Sequence, residues 1–354
     1  MASIRPSGFW VKEYGQDLAI VNTRTQIVLL ILLLAILFAS PLYLSRMWLS
    51  WLTFTSIFLI AAMGLNITTG FTGQISLGQA AFMGFGAFAG AALTVHLHWP
   101  FLLSLICSGF IAAGIGTVFS LACFRLKGFY LALVTLAAHF FLPFIVLHLP
   151  KWTGGSHGLV LPPPSIAGIV FDTRQSWFYV VMAITVIVVF ATKNLERSRI
   201  GKAFIAIRDN DKAASAVGIN ISFYKMQSFF LGTFFAGIAG FLLVSTYESC
   251  DLGYFIFLDS IWLLGMLIVG GMGVVTGTIF GTVLLRFIGF GTNMMAPALV
   301  NAVPFIPIVA ASGLLNVANA MVIILFLLFE PRGLNHLWNK FKNWYRIWPF
   351  AHAG

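Results

Sequence analysis

The sequence predicts an all-α fold: a polytopic bundle of about ten transmembrane helices with both termini in the cytoplasm. Three observations predict it. Of 354 residues, 60% are hydrophobic and only 8% charged, whereas a soluble domain carries about a quarter charged residues. Apolar stretches long enough to cross the hydrocarbon core as helices, about 20 residues each, recur from Ile27 to Phe329. The basic residues fall between those stretches, and they do so unequally on the two sides. In a soluble chain a net charge of +10 would suggest nucleic acid. Here its placement reads as membrane topology, so the lipid bilayer is an expected partner and nucleic acid is not.

Residues 1–26 form a mixed-charge cytoplasmic leader with Arg5, Lys12, Glu13, Asp17 and Arg24. The apolar run that follows is too long for the h-region of a signal peptide and is expected to stay as a helix. Within a transmembrane domain of 27–329, spans are expected at about 27–44, 48–68, 76–95, 101–123, 129–149, 177–193, 226–246, 256–271, 274–292 and 305–329. Glycine is dense in the third, eighth and ninth, where helices can break or re-enter. With the N-terminus inside, only Arg46, Lys151, Arg174 and Arg286 of the twenty Lys and Arg lie outside. Lys and Arg resist translocation, so this split supports the parity of the spans. Residues 330–354 form a cytoplasmic tail, and Trp48, Trp51, Trp99, Trp152, Trp177, Trp338, Trp344 and Trp348 mark predicted interfaces.

Two hydrophilic segments interrupt the apolar pattern. The outside loop, 150–175, is rich in Gly and Pro and favours turns over helix. The cytoplasmic segment, 194–225, with Lys193 at its edge, carries seven of the twenty basic residues. Its small residues Ala203, Ala206, Ala213, Ala214 and Gly218 let a short helix lie flat on a partner, with Arg208, Asp209 and Asp211 left for polar contacts. Composition alone favours a solvated connector between spans.

Other polar groups lie in or beside the spans. From Gly64 to Gly90, seven glycines alternate with Asn66, Thr68, Thr69, Gln74, Ser76 and Gln79. Unpaired amides are costly in hydrocarbon, so these face a neighbouring helix or a water-filled path. Residues 265–281 echo that glycine spacing as a faint internal repeat. Between Lys127 and His139, Tyr130 and Thr135 are candidates for the path, and His139 is expected to hold an interhelical hydrogen bond. His96 and His98 lack a third ligand nearby, so no metal site is assigned. Cys107, Cys123 and Cys250 show no CxxC spacing and read as packing residues. Glu248, Asp251 and Asp259 cluster at the outer end of the seventh and eighth spans, where carboxylates need no functional role.

Residues 201–219, GKAFIAIRDNDKAASAVGI, resemble the cytoplasmic coupling segment of permeases from the branched-chain amino acid family of ABC importers, which typically reads G-x-A-x-x-A-I-R-x-N-x-x-A-A-x-x-x-G-I. The same family is resembled, in order, by GLNITTGFTGQISLGQAAFMGFGAF at 64–88, LKGFYLALVTLA at 126–137, TGGSHGL at 153–159, IVGGMGVVTGTIFG at 268–281 and FEPRGL at 329–334. The TGG loop is most similar to the LivM-like branch. One departure is that the family often has Glu where Asp209 and Asp211 stand, which keeps the charge.

The resemblance implies a permease that pairs with a second, related permease, two cytoplasmic ATPase subunits and a periplasmic binding protein in the bacterial inner membrane. It implies that Gly201, Ala203, Ala206, Ile207, Arg208, Asp209, Asn210, Asp211, Ala213, Ala214, Gly218 and Ile219 seat in the ATPase. It adds Thr153, Gly154, Gly155 and Gly158 as a docking loop for the binding protein. The translocation path would draw on Asn66, Thr69, Gln74, Ser76, Gln79, Tyr130 and Thr135. No cofactor is expected in this chain: Gly201-Lys202 lacks the upstream Gly and following Ser or Thr of a phosphate loop, so ATP and Mg belong to the ATPase partners. The chain is accordingly expected not to be an enzyme. The substrate would be a branched-chain amino acid or a related small solute, relatives also serving urea, short amides and aromatic acids. The alternative, a stand-alone secondary transporter or channel, would place more ionisable residues at mid-span than His139 and Arg286. An intramembrane enzyme would need a nucleophile with its base, or paired carboxylates, inside the spans.

Overall fold

The computed structural model describes residues 24–121, 128–166, 168–302 and 333–347, with scattered positions between 313 and 330. The leader to residue 23, Leu126 and Lys127 of the second motif, Cys123 and most of the expected tenth span lie outside them. The chain forms helices α1 (Arg24–Tyr43), α2 (Arg46–Leu65), α3 (Gln79–His96), α4 (Phe101–Ser120), α5 (Phe129–His148) and α6 (Arg174–Arg197). Two short helices follow, α7 (Arg199–Asp209) and α8 (Asp211–Ala216), then α9 (Ile221–Tyr247), α10 (Phe257–Gly270), α11 (Val275–Ala302) and α12 (Leu334–Ile347). Among the described residues seven helical stretches are long and apolar enough to cross a membrane, and the apolar part of α1 is shorter. In hydrocarbon a helix satisfies its backbone internally, which is why apolar runs become helices here whatever their β-branched content. Hydroxyls inside the helices return to their own backbone, as Thr53, Thr185, Thr192, Thr233 and Ser245 do to the carbonyl four residues back.

Helix α9 is the centre of the bundle and packs against α2, α3 and α4. Phe229, Phe241 and Leu242 on it are fully buried. Its approach to α3 is set by two glycines: a Cβ on Gly86 would overlap the backbone of Gly237, so only small residues let these helices pack backbone to backbone.

Two departures from the expected all-helical pattern matter. The outer loop and the end of α9 contain four two-residue strands, with Leu159–Val160 paired to Ser249–Cys250 and Ser165–Ile166 to Ile169–Val170, both antiparallel. The run Pro162-Pro163-Pro164 between them cannot continue a helix, so extended segments pair instead. The first ladder closes over Cys250, whose thiol burial holds well above its ordinary range. The third span, expected at 76–95, is one helix that begins three residues later, at Gln79. The chain leaves α2 through a wide π-helical turn, Asn66–Phe71, runs without helix from 73 to 78, and becomes helical again at Gln79.

Candidate functional site

The non-helical stretch after the π turn is buried over much of its length, and its backbone therefore needs partners from elsewhere. Side chains of the π turn and of other helices supply them. Gln74 O accepts from Thr69 Oγ1 at 3.0 Å, Leu77 N donates to Thr135 Oγ1 at 2.9 Å, and Ala80 N donates to Ser260 Oγ at 2.9 Å. His139 Nε2 lies 3.1 Å from Leu77 O and 3.0 Å from Ser260 Oγ, an interhelical bond of the kind its position in the sequence suggests. Gln79 Nε2 ties α3 to its neighbours through Ala61 O at 2.9 Å and Gly232 O at 3.4 Å.

Below this break lies a junction of three chain segments. Arg208, near the end of α7, donates from Nη1 to Gly70 O in the π turn at 2.9 Å. Asn66 Oδ1 in the same turn accepts from Gly273 N at 2.9 Å, and Gly273 belongs to the four-residue break between α10 and α11. Gly273 has φ +79°, and a Cβ there would collide with Arg208 Nη1. Glycine at this point thus serves both a left-handed backbone and a close guanidinium. On the other side of Arg208, Lys225 Nζ lies 3.1 Å from Asp211 Oδ2, and Gln74 Nε2 donates to Ser228 Oγ at 2.7 Å. A cavity of about 330 Å³ lies among Gly73, Gln74, Leu131, Arg208, Asp211 and Lys225. Several buried polar atoms have no protein partner: Asn66 Nδ2, Gln74 Oε1 and Ser76 Oγ.

The cytoplasmic segment itself is an elbow. Ser198 accepts from Gly201 N to start α7, and Asn210, in extended conformation, accepts from Lys212 N and Ala213 N to start α8. Sequence reasoning leaves Arg208, Asp209 and Asp211 for contacts with another molecule. Two of them also make contacts within this chain, Arg208 with Gly70 and Asp211 with Lys225. Gly201, Ala203, Ile207 and Ala214 are buried against the bundle, and Ala206 and Ile219 are half-buried. Asp209, Asn210, Ala213 and Gly218 remain outward, with Val217 80% exposed between α8 and α9.

A family model described as "Branched-chain amino acid transport system / permease component" matches residues 47–312. The chain belongs to this family. It is a multi-pass permease of the inner membrane, and its fold and the resemblance of its motifs agree with that membership. It is 29% identical over 288 residues to the high-affinity branched-chain amino acid transport permease LivM of Salmonella typhimurium, covering 75% of this chain and 68% of that one. It is 28% identical to LivM of Escherichia coli with the same coverage. The ribose import permease RbsC of Escherichia coli is 27% identical over 150 residues, 41% of each chain.

Within the permease, the remaining candidates separate. Thr135 belongs with Gln74, Ser76 and Gln79, whereas Tyr130 is 66% exposed on α5 and joins no polar contact with them. In the TGG loop, Thr153 terminates α5 by donating from Oγ1 to Val146 O at 2.6 Å and accepting from Gly155 N. Gly154, Gly155 and Gly158 all have positive φ, so this loop is a tight, conformationally fixed turn. At the same end of the bundle the structure brings Asp259 and Arg286 onto one cavity. Sequence reasoning treated them apart, as an outer carboxylate and a single deep cation; a lone Arg inside an apolar run is the signal that points to the pair.

Proposed function

We propose that this permease is the membrane subunit of an ATP-driven importer for branched-chain amino acids or a chemically related small solute. In this reading a second permease completes the path, and a periplasmic binding protein delivers the solute to the TGG-loop end. Two ATPase subunits, holding ATP and Mg, engage the α7–α8 elbow. The observation that carries the reading is the Arg208 junction. One guanidinium bonds the π turn of α2, which in turn bonds the break between α10 and α11. A push on the elbow therefore reaches two broken segments of the bundle at once, the geometry a rigid-body coupling needs. The exposed rim of Asp209, Asn210, Ala213, Val217 and Gly218 offers the ATPase a small, mixed polar and apolar surface.

The test is Arg208→Glu in the assembled importer. Charge reversal replaces a charge-assisted donor to Gly70 O by an acceptor, and the expected result is loss of ATP-driven leucine uptake with the complex still assembled in the membrane. Wild-type uptake by the variant would remove the coupling role. Uptake by this permease alone, reconstituted without ATPase subunits, would favour a stand-alone carrier instead.

A further inference from the structure

At the end of the bundle opposite Arg208, a cavity of about 670 Å³ opens between the start of α2 and helices α10 and α11. Three guanidinium groups line it, Arg46, Arg174 and Arg286, against one carboxylate, Asp259. The lining thus carries two more positive than negative charges. Arg174 is tied down, its Nη1 donating to Ser50 Oγ at 3.0 Å. Arg286 is held differently. Trp51 Nε1 donates to its backbone carbonyl at 3.0 Å, and its guanidinium lies over the Phe58 ring, 4.5 Å from the centroid. Its Nε is buried and has no hydrogen-bond partner. Among the described residues no ion pair joins Arg286 to Asp259, although both face the same space.

A cation inside an apolar span is costly and needs a reason to be there. A buried guanidinium nitrogen with an unmade bond adds to that cost. An aromatic face below and a cavity in front leave its fork pointing at whatever enters. The planar fork of Arg matches a carboxylate bidentately, in a way that a neutral amide or urea cannot repay. Asp259 across the same space would take a cationic group. We infer that Arg286 and Asp259 form a substrate subsite for a small zwitterion, with Arg286 receiving the carboxylate and Asp259 the ammonium group. The inference rests on the functional reading above and narrows it: the permease discriminates carboxylate-bearing solutes from urea and amides at this point, in addition to any choice made by a binding protein.

The experiment uses the assembled importer in proteoliposomes with radiolabelled L-leucine. Arg286→Gln is expected to lower uptake by about tenfold or more, the scale of a lost charge-assisted bond, while the binding protein still stimulates ATP hydrolysis. Arg286→Lys, which keeps the charge without the fork, should recover part of the uptake with a raised half-saturation concentration. A second measurement needs no change at Arg286: in an importer carrying Met47→Cys on the cavity wall, L-leucine should slow maleimide labelling, and leucinamide and urea should not. Undiminished leucine uptake by Arg286→Gln overturns the subsite, as does equal protection by leucine and leucinamide, or protection by neither. A wild-type importer that moves no leucine would instead contradict the functional reading on which the subsite rests.

Discussion

Thr135 supplies the acceptor for a backbone N–H that no helix can satisfy. Leu77 N donates to its Oγ1 at 2.9 Å while the hydroxyl hydrogen goes to Ala132 O, also at 2.9 Å. Thr135→Val keeps the shape and deletes both bonds, leaving a buried donor unpaired at a cost of about 1–3 kcal/mol. Thr135→Ser keeps the oxygen and should behave like the parent. Thermal unfolding in detergent is the measurement, and equal midpoints for the Val and Ser variants would remove the role. The sequence marks Thr135 as a polar residue inside a span but cannot say which way its hydroxyl points, because the partner, Leu77, is an apolar residue whose only polar groups are backbone. The same limit hides Gly273, whose need for glycine comes from an arginine 65 residues earlier in the chain.

The α7–α8 elbow is one unit whose bend is set by Asn210, with φ −160° and a side chain that accepts from the N–H groups of Lys212 and Ala213 at 3.0 and 3.1 Å. Asn210→Ala should destabilise α8 by about 1 kcal/mol, the usual worth of an N-cap, and Asn210→Asp should preserve it. Faster amide exchange at residues 211–216 in the Ala variant alone is the expected result, and equal exchange in all three proteins would show that packing rather than capping holds the helix. This element was largely legible in the sequence. Its position between spans, its basic content and its small residues all stand out against an apolar background. What was not legible is the direction of Arg208. A charged residue on a short surface helix reads as an outward contact, and the bond from its Nη1 to Gly70 O, in a turn far away in the chain, has no signal in the sequence.

At the scale of the molecule, hydropathy predicts the helices well because the bilayer leaves an apolar run no alternative to helix. It fails where backbone polarity is met by distant side chains. The third span is expected from residue 76, whereas bonds from Thr69, Thr135, His139 and Ser260 let residues 73–78 stay outside any helix, so that α3 begins only at Gln79. Such a break needs a rigid surround, and α9 provides it by close packing against α2, α3 and α4. Two glycines test this division between core and lipid-facing surface. A Cβ on Gly237 would meet Ala112 Cβ and Ser108 O, both at 2.6 Å, so Gly237→Ala forces helices apart at a cost of about 1–3 kcal/mol, as overpacking does. Gly114 on α4 has nothing within 4 Å, and Gly114→Ala should leave stability unchanged or raise it by about 0.5–1 kcal/mol through helix propensity. A lowered unfolding midpoint for Gly237→Ala and an unchanged or raised one for Gly114→Ala are expected. If Gly237→Ala were as stable as the parent, α9 could shift without loss, and the fixed frame on which the Arg208 junction and the Arg286 cavity both depend would not exist.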